Sequence, residues 1–125
     1  MKTVISAADA PAAIGPYSHA ISAGSFFFTS GQIALNPATG KLAGDSIEIQ
    51  TEQVLKNLEE VLAANDMTFA NVIKTTVFLT DLADFAVVNG IYATRFPENP
   101  PARSCVQVAG LPGGSKIEIE LIACR

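Results

Sequence analysis

Only two stretches of this 125-residue chain carry helical spacing, and two helices can cover only one face of the sheet that the other segments build. The first helix is predicted from about Ser46 to Ala64, with Val54, Leu55, Leu58, Val61 and Leu62 on its apolar stripe. Asp45 followed by Glu48 reads as a capping box, and Asn65 as the stop. The second runs from about Leu82 to Phe96, capped by Thr80 or Asp81, with Leu82, Phe85, Val88, Tyr92 and Phe96 as its stripe. Strands are predicted over residues 2–5, 20–23, 26–33, 72–79, 104–108 and 116–124. Gly24-Ser25, residues 36–40 and residues 111–115 supply turns. The order β-β-β-α-β-α-β-β implies an α+β fold: one domain over residues 1–125, with an antiparallel or mixed six-stranded sheet and both helices on one face. Yet Phe26-Phe27-Phe28 and Leu121-Ile122-Ala123-Cys124 do not alternate apolar with polar. Such runs belong either at a sheet centre or on a face covered by other subunits, and the second reading is the expectation here.

Composition points the same way. Charged residues make up 16%, against about 25% in ordinary soluble domains, while apolar residues reach 49%. A monomer is poorly covered by so little charge, which favours an oligomer. The net charge of −4 and the lack of a basic stripe disfavour nucleic acid. No apolar run is long enough to span a membrane, and the start of the chain has no apolar core for a signal peptide. Two cysteines and one histidine provide neither a disulfide framework nor a zinc cluster. A cytoplasmic protein without metal or cofactor is expected.

Candidate site residues are few. Pro100-Pro101 delivers the chain into an extended segment at Arg103, where Arg103 and Cys105 share a strand face. A guanidinium there is a fork for a planar carboxylate, or else one half of a surface salt bridge beside a structural cysteine. Asn89 interrupts the apolar stripe of the second helix, and its amide either lines a site or bonds within the core. Glu118 and Glu120 share one face of the last strand, opposite Ile117, Ile119 and Leu121. They form a solvated face, or one of them orients water, their mutual repulsion raising one pKa. Ser30-Gly31 inside a strand marks a bulge or the close approach of a ligand. Tyr17 follows Gly15-Pro16 as a loop aromatic with a polar tip, and His19 has no evident nucleophile to serve.

Several short segments recur together. They are residues 12–18 (Ala-Ala-Ile-Gly-Pro-Tyr-Ser), 29–33 (Thr-Ser-Gly-Gln-Ile), 74–78 (Lys-Thr-Thr-Val-Phe) and 85–89 (Phe-Ala-Val-Val-Asn). Residues 101–106 (Pro-Ala-Arg-Ser-Cys-Val) and 116–120 (Lys-Ile-Glu-Ile-Glu) complete the set. In this order and spacing the chain resembles the reactive intermediate deaminase family, also called Rid or YjgF, and its deaminase-active, RidA-like subgroup. The resemblance implies a chorismate mutase-like fold and a homotrimer with sites in the clefts between subunits. It implies hydrolysis of 2-imino acids, such as 2-aminoacrylate/2-iminopropanoate and 2-iminobutanoate, to 2-oxo acids and ammonia. Such imines leave pyridoxal phosphate enzymes, and their removal protects other enzymes of that class. Carried over by position, Arg103 binds the substrate carboxylate and Glu118 positions or activates water. Tyr17, Ser30, Gly31, Asn89 and Cys105 line the cleft, and no metal or coenzyme is required.

The 109–114 loop is richer in glycine and poorer in charge than in many relatives, which bears on substrate range. The alternative function is a non-catalytic, metabolite-sensing trimer that binds small carboxylates or a protein partner. RNA cleavage and chaperone-like activity, linked to some family members, fit the acidic balance poorly. The two main readings divide at Glu118, since a sensor needs the arginine but no water-positioning carboxylate.

Overall fold

Helical spacing between Val54 and Leu62 becomes α1 (Ile47–Ala63) in the computed structural model, which describes residues 1–125. All five stripe residues are buried, none more than 1% exposed. The cap differs from the expected Asp45–Glu48 box. Ser46 occupies it, with extended backbone and its Oγ accepting the Ile49 N–H at 3.1 Å. The Ser46 carbonyl takes the first helical bond, from Gln50 N–H at 3.0 Å. Its side chain, not that of Asp45, therefore faces the orphan amides of the first turn.

The second helix is shorter than residues 82–96. Leu82–Asp84 forms a 3₁₀ turn, where Asp81 accepts the Ala83 N–H at 2.9 Å, and α2 spans Phe85–Ala93. Beyond it Thr94, Arg95 and Phe96 close i→i−3 bonds, the tightening usual where a helix ends. The stripe is correspondingly cut back. Val88, Tyr92 and Phe96 are buried, whereas Leu82 and Phe85 are exposed.

Seven strands build one sheet: β1 (Lys2–Ile5), β2 (Ala20–Ala23), β3 (Phe26–Thr29), β4 (Gln32–Ile33), β5 (Val72–Leu79), β6 (Ala102–Gln107) and β7 (Ile117–Cys124). Their order is β1-β2-β3-β7-β5-β6, with β4 also on β7. Only β5 and β6 run parallel, joined through α2. The extra strand arises because the expected segment 26–33 is broken. Phe28 pairs with Ile122 but Gln32 pairs with Ile119, so the register slips by one residue across Thr29, Ser30 and Gly31. The Thr29 hydroxyl fills the gap in the ladder by accepting the Leu121 N–H at 3.0 Å.

Strand alternation sorts β7 into two chemistries. Ile117, Ile119, Leu121 and Ala123 point into the core beneath the helices, each at most 3% exposed. Glu118, Glu120, Ile122 and Cys124 point to the opposite, open face, as expected for the two glutamates. Register places Val4, Phe26, Phe28 and Val106 on that face too, each 43–57% exposed. A sheet face carrying this much bare aromatic and aliphatic surface is unusual for a chain that stays alone.

The cap assignment has a direct test. Ser46→Ala should destabilise the fold by about 1 kcal/mol, whereas Asp45→Ala should change stability by less than about 0.5 kcal/mol. Urea unfolding of both variants measures the difference, and equal losses would return the cap to Asp45.

Candidate functional site

The break between β3 and β4 makes a hollow. Tyr17, Ser30, Gly31 and Glu118 line a cleft of about 350 Å³, walled on its apolar side by Ile14 and Pro112 among others. Gly31 gives the Glu118 carboxylate its place against the bulge, because a Cβ there would push that side chain aside. The Ser30 hydroxyl donates to the Ser18 carbonyl at 2.6 Å, and the Ser30 N–H bonds the His19 carbonyl at 2.9 Å. These bonds fasten the bulge to the loop that carries Tyr17. Of the two alternatives for Ser30-Gly31 the bulge is present, and the group lying against it is the chain's own Glu118 side chain.

His19 fastens the rest of that loop. Ala7 N–H donates to its Nδ1 at 2.9 Å, so Nε2 carries the proton given to the Pro11 carbonyl at 2.7 Å. The histidine is a buried tie between two turns of the loop. From the other side, one buried amide of α1 holds the cleft wall and another holds the start of β7. Asn57 donates to the Ile33 and Leu35 carbonyls at 3.2 and 2.9 Å. Gln50 accepts the Lys116 N–H at 2.8 Å, just before β7. Sequence reading passed over both, because polar residues within a helix carry no signal of what they meet across the core.

Glu118 is half-buried in this cleft. Burial pushes its carboxyl above the usual carboxylate range, and the neighbouring Glu120 charge pushes it further. It has no cationic partner, since the chain's ion pair is Arg95–Glu52 at 2.9 Å, on the helices.

Arg103 lies elsewhere. Thr75 pairs with Arg103 and Phe78 pairs with Glu118. Three residues apart on β5, Thr75 and Phe78 face opposite ways, so Arg103 is on the helix side of the sheet and Glu118 on the open side. The Arg103 guanidinium sits 5.4 Å from the Phe85 ring centroid and 4.9 Å from that of Tyr92. Its Nη1 donates to Asn89 Oδ1 at 2.7 Å. Asn89 is therefore partnered, and its partner is the arginine. Like Glu118, Arg103 pairs with no opposite charge in its own chain.

Cys105 follows on the same face as Arg103. Burial pushes its thiol pKa up, with the Arg103 charge pulling the other way, so at neutral pH it remains a thiol and a weak nucleophile. Tyr92 and Phe85 were legible only as a core stripe. Their second role depends on a residue of another element, and no spacing rule reports that.

The seven candidates thus form two groups in one chain: Tyr17, Ser30, Gly31 and Glu118 in the cleft, and Asn89, Arg103 and Cys105 beside α2.

Known proteins align with this chain along nearly its whole length. The family described as "Endoribonuclease L-PSP" matches residues 7–125. Reactive Intermediate Deaminase A, chloroplastic, of Arabidopsis thaliana is 56% identical over 98% of this chain, which spans 65% of the plant protein. The 2-iminobutanoate/2-iminopropanoate deaminase of Mus musculus is 49% identical over 100% of this chain and 93% of its own length. Among solved structures, a Yersinia pestis protein of the conserved Rid family superposes with a TM-score of 0.97 at 47% identity, covering 100% of both chains. Escherichia coli TdcF with bound serine superposes with a TM-score of 0.93 at 42% identity, covering 98% of both.

The raised Glu118 pKa sets a stability test. Below the unfolded value both states are protonated and burial costs nothing extra; as pH rises through the folded value, the folded state must hold a disfavoured charge. Glu118→Gln should therefore melt at a higher temperature than the parent at pH 7, with the gain fading by about pH 4. A gain that is the same at both pH values would show that ionisation is not its source.

Proposed function

We propose, for a chain that belongs to the Endoribonuclease L-PSP family of YjgF/Rid proteins, that it hydrolyses 2-imino acids to 2-oxo acids and ammonia at sites completed between subunits. The observation that carries this reading is the unpaired Arg103 guanidinium, held between two rings with no carboxylate of its own chain. It is a receptor for an external carboxylate. Relatives about 50% identical, named for imine deamination, support the reaction, and the serine in TdcF is an amino acid of similar size.

Arg103 and Glu118 of one chain lie on opposite faces of the sheet, so they do not meet on one substrate. In a ring of three copies, Arg103 of one subunit can face the Glu118 cleft of the next. The bare open face, with Phe26, Phe28 and Val106, is the surface such a ring would bury. The substrate carboxylate sits on Arg103, and Tyr17, Ser30 and Gly31 shape the cleft around the imine. Glu118 takes a proton from water as the oxygen adds to the imine carbon, which gives a tetrahedral amino alcohol. Returning that proton to nitrogen lets the C–N bond break as the hydroxyl proton passes to Glu118, leaving a carbonyl and ammonia, which takes that proton and departs as ammonium. A protonated imine is already electrophilic, so orientation and an activated water are what the protein must supply. Such chemistry suits a cytoplasmic protein that clears imines shed by pyridoxal phosphate enzymes.

Mixing two inactive variants tests the shared site. Arg103→Ala should lose at least about 30-fold in kcat/KM, from a loss of roughly 2–5 kcal/mol, and Glu118→Gln should slow hydrolysis while still binding 2-oxobutanoate. Refolded together in equal amounts, they should recover about a quarter of parental activity, because each mixed ring of three rebuilds one intact site. Recovery of nothing, or a monomer mass by light scattering, would refute a site shared between subunits. If the parent binds 2-oxobutanoate through Arg103 yet does not accelerate the loss of 2-imino acids, the sensor reading prevails.

Activity should also fall as pH drops through the raised Glu118 pKa, since the water must be activated by the ionised carboxylate. Glu120→Gln removes one cause of that elevation, so the acid limb of kcat/KM should move to lower pH. A limb that stays in place would remove Glu118 from the proton transfer.

A further inference from the structure

We infer that Tyr92 is a positioning residue for Arg103, fixing the guanidinium before any carboxylate arrives. The inference rests on the carboxylate-anchor reading given above and adds how the anchor is held. Tyr92 is only 6% exposed, so it is placed to act through Arg103 rather than on a ligand. Its ring lies 4.9 Å from the guanidinium carbon.

That ring is itself immobile. Its hydroxyl shares a 2.7 Å hydrogen bond with the buried Thr75 hydroxyl. Thr75 is the residue paired with Arg103 across β5 and β6, so the strand position that launches the arginine also fixes the ring beneath it. Phe96 packs on Tyr92 at a tilt of 39°, with ring centroids 4.7 Å apart, and Phe69 meets Phe96 edge-on at 5.3 Å. The guanidinium thus ends an aromatic row running back into the core, with Phe85 on its outer side.

Stacking uses the flat face of a guanidinium and leaves its in-plane N–H edge free. Asn89 takes one N–H, on Nη1, and sets the rotation of the group about its own plane. Five donors minus that one leave an edge able to grip a carboxylate with two parallel bonds. Arginine otherwise carries large side-chain entropy, and losing it at the moment of binding weakens the complex. Tyr92 shifts that loss to folding. Asn89 thereby orients the arginine.

A double-mutant cycle with 2-oxobutanoate as the probe decides the matter. Calorimetry gives its affinity for the parent, Tyr92→Phe, Tyr92→Leu, Arg103→Ala and the Tyr92→Leu/Arg103→Ala pair, each checked for parental oligomer mass. Tyr92→Leu should weaken binding about tenfold and raise KM with little change in kcat. Tyr92→Phe, which keeps the ring, should stay within about threefold. In the Arg103→Ala background Tyr92→Leu should change nothing further, because its effect passes through the arginine. Parental affinity in a correctly assembled Tyr92→Leu, or the same added loss with and without Arg103, would overturn the inference. Should Tyr92→Leu fail to assemble, Tyr92→Met removes the ring with a more adaptable side chain, and parental affinity there would overturn the inference equally. Unchanged affinity in Arg103→Ala alone would instead refute the carboxylate anchor, a separate failure.

Discussion

Everything in this molecule hangs on the alternation of β7. It is central, paired with β3 and β4 on one side and β5 on the other. Its odd-numbered residues, Ile117, Ile119, Leu121 and Ala123, join Phe27, Val77 and Leu79 of the flanking strands in the core under α1. The hydrophobic gain from burying them locks the register, since a slip of one residue would drive Glu118 and Glu120 into the core. Glu118 is therefore placed on the open face by its apolar neighbours. The chemistry of the site is a by-product of a packing decision made by the residues on either side.

Two groups in the chain are held ready for charge they do not find there. Arg103 is braced by rings and an amide, and Glu118 is sunk beside Gly31 with its charge disfavoured. Half-buried unpaired charges usually shift, neutralise or find a partner. Their persistence on opposite faces is economical if neighbouring copies and a zwitterionic substrate complete the set. Apolar residues on the same open face would drive that association through surface burial, while the charges would select the substrate.

Supporting bonds come from distant places. Asn57 reaches from α1 to the cleft wall and Gln50 to the start of β7, His19 ties its loop, and Thr75 steadies Tyr92. None contacts a reacting atom in the proposed mechanism. Each leaves a polar group satisfied inside the fold; the first three brace the cleft and its flanking segments, and the last braces the ring beside Arg103.

The sequence by itself determined the two helices, the strand segments and the face of β7 that carries Glu118 and Glu120, because periodicities of 3.6 and 2 are local properties of a chain. It also marked Arg103, Ser30-Gly31 and Tyr17, through proline, glycine and a rare arginine in unusual places. The Ser46 cap and the early end of α2 were misjudged by a residue or a turn, since a cap depends on which carbonyl closes the first bond. Only the tertiary structure decided that Arg103 and Glu118 face opposite ways, that the third strand breaks at a bulge, and that Asn89 and Tyr92 meet the arginine. Those facts depend on the register of β5 against both β6 and β7, and on α2 lying over one of them. Pairing between segments tens of residues apart is set by the global packing of the core, and no local pattern encodes it.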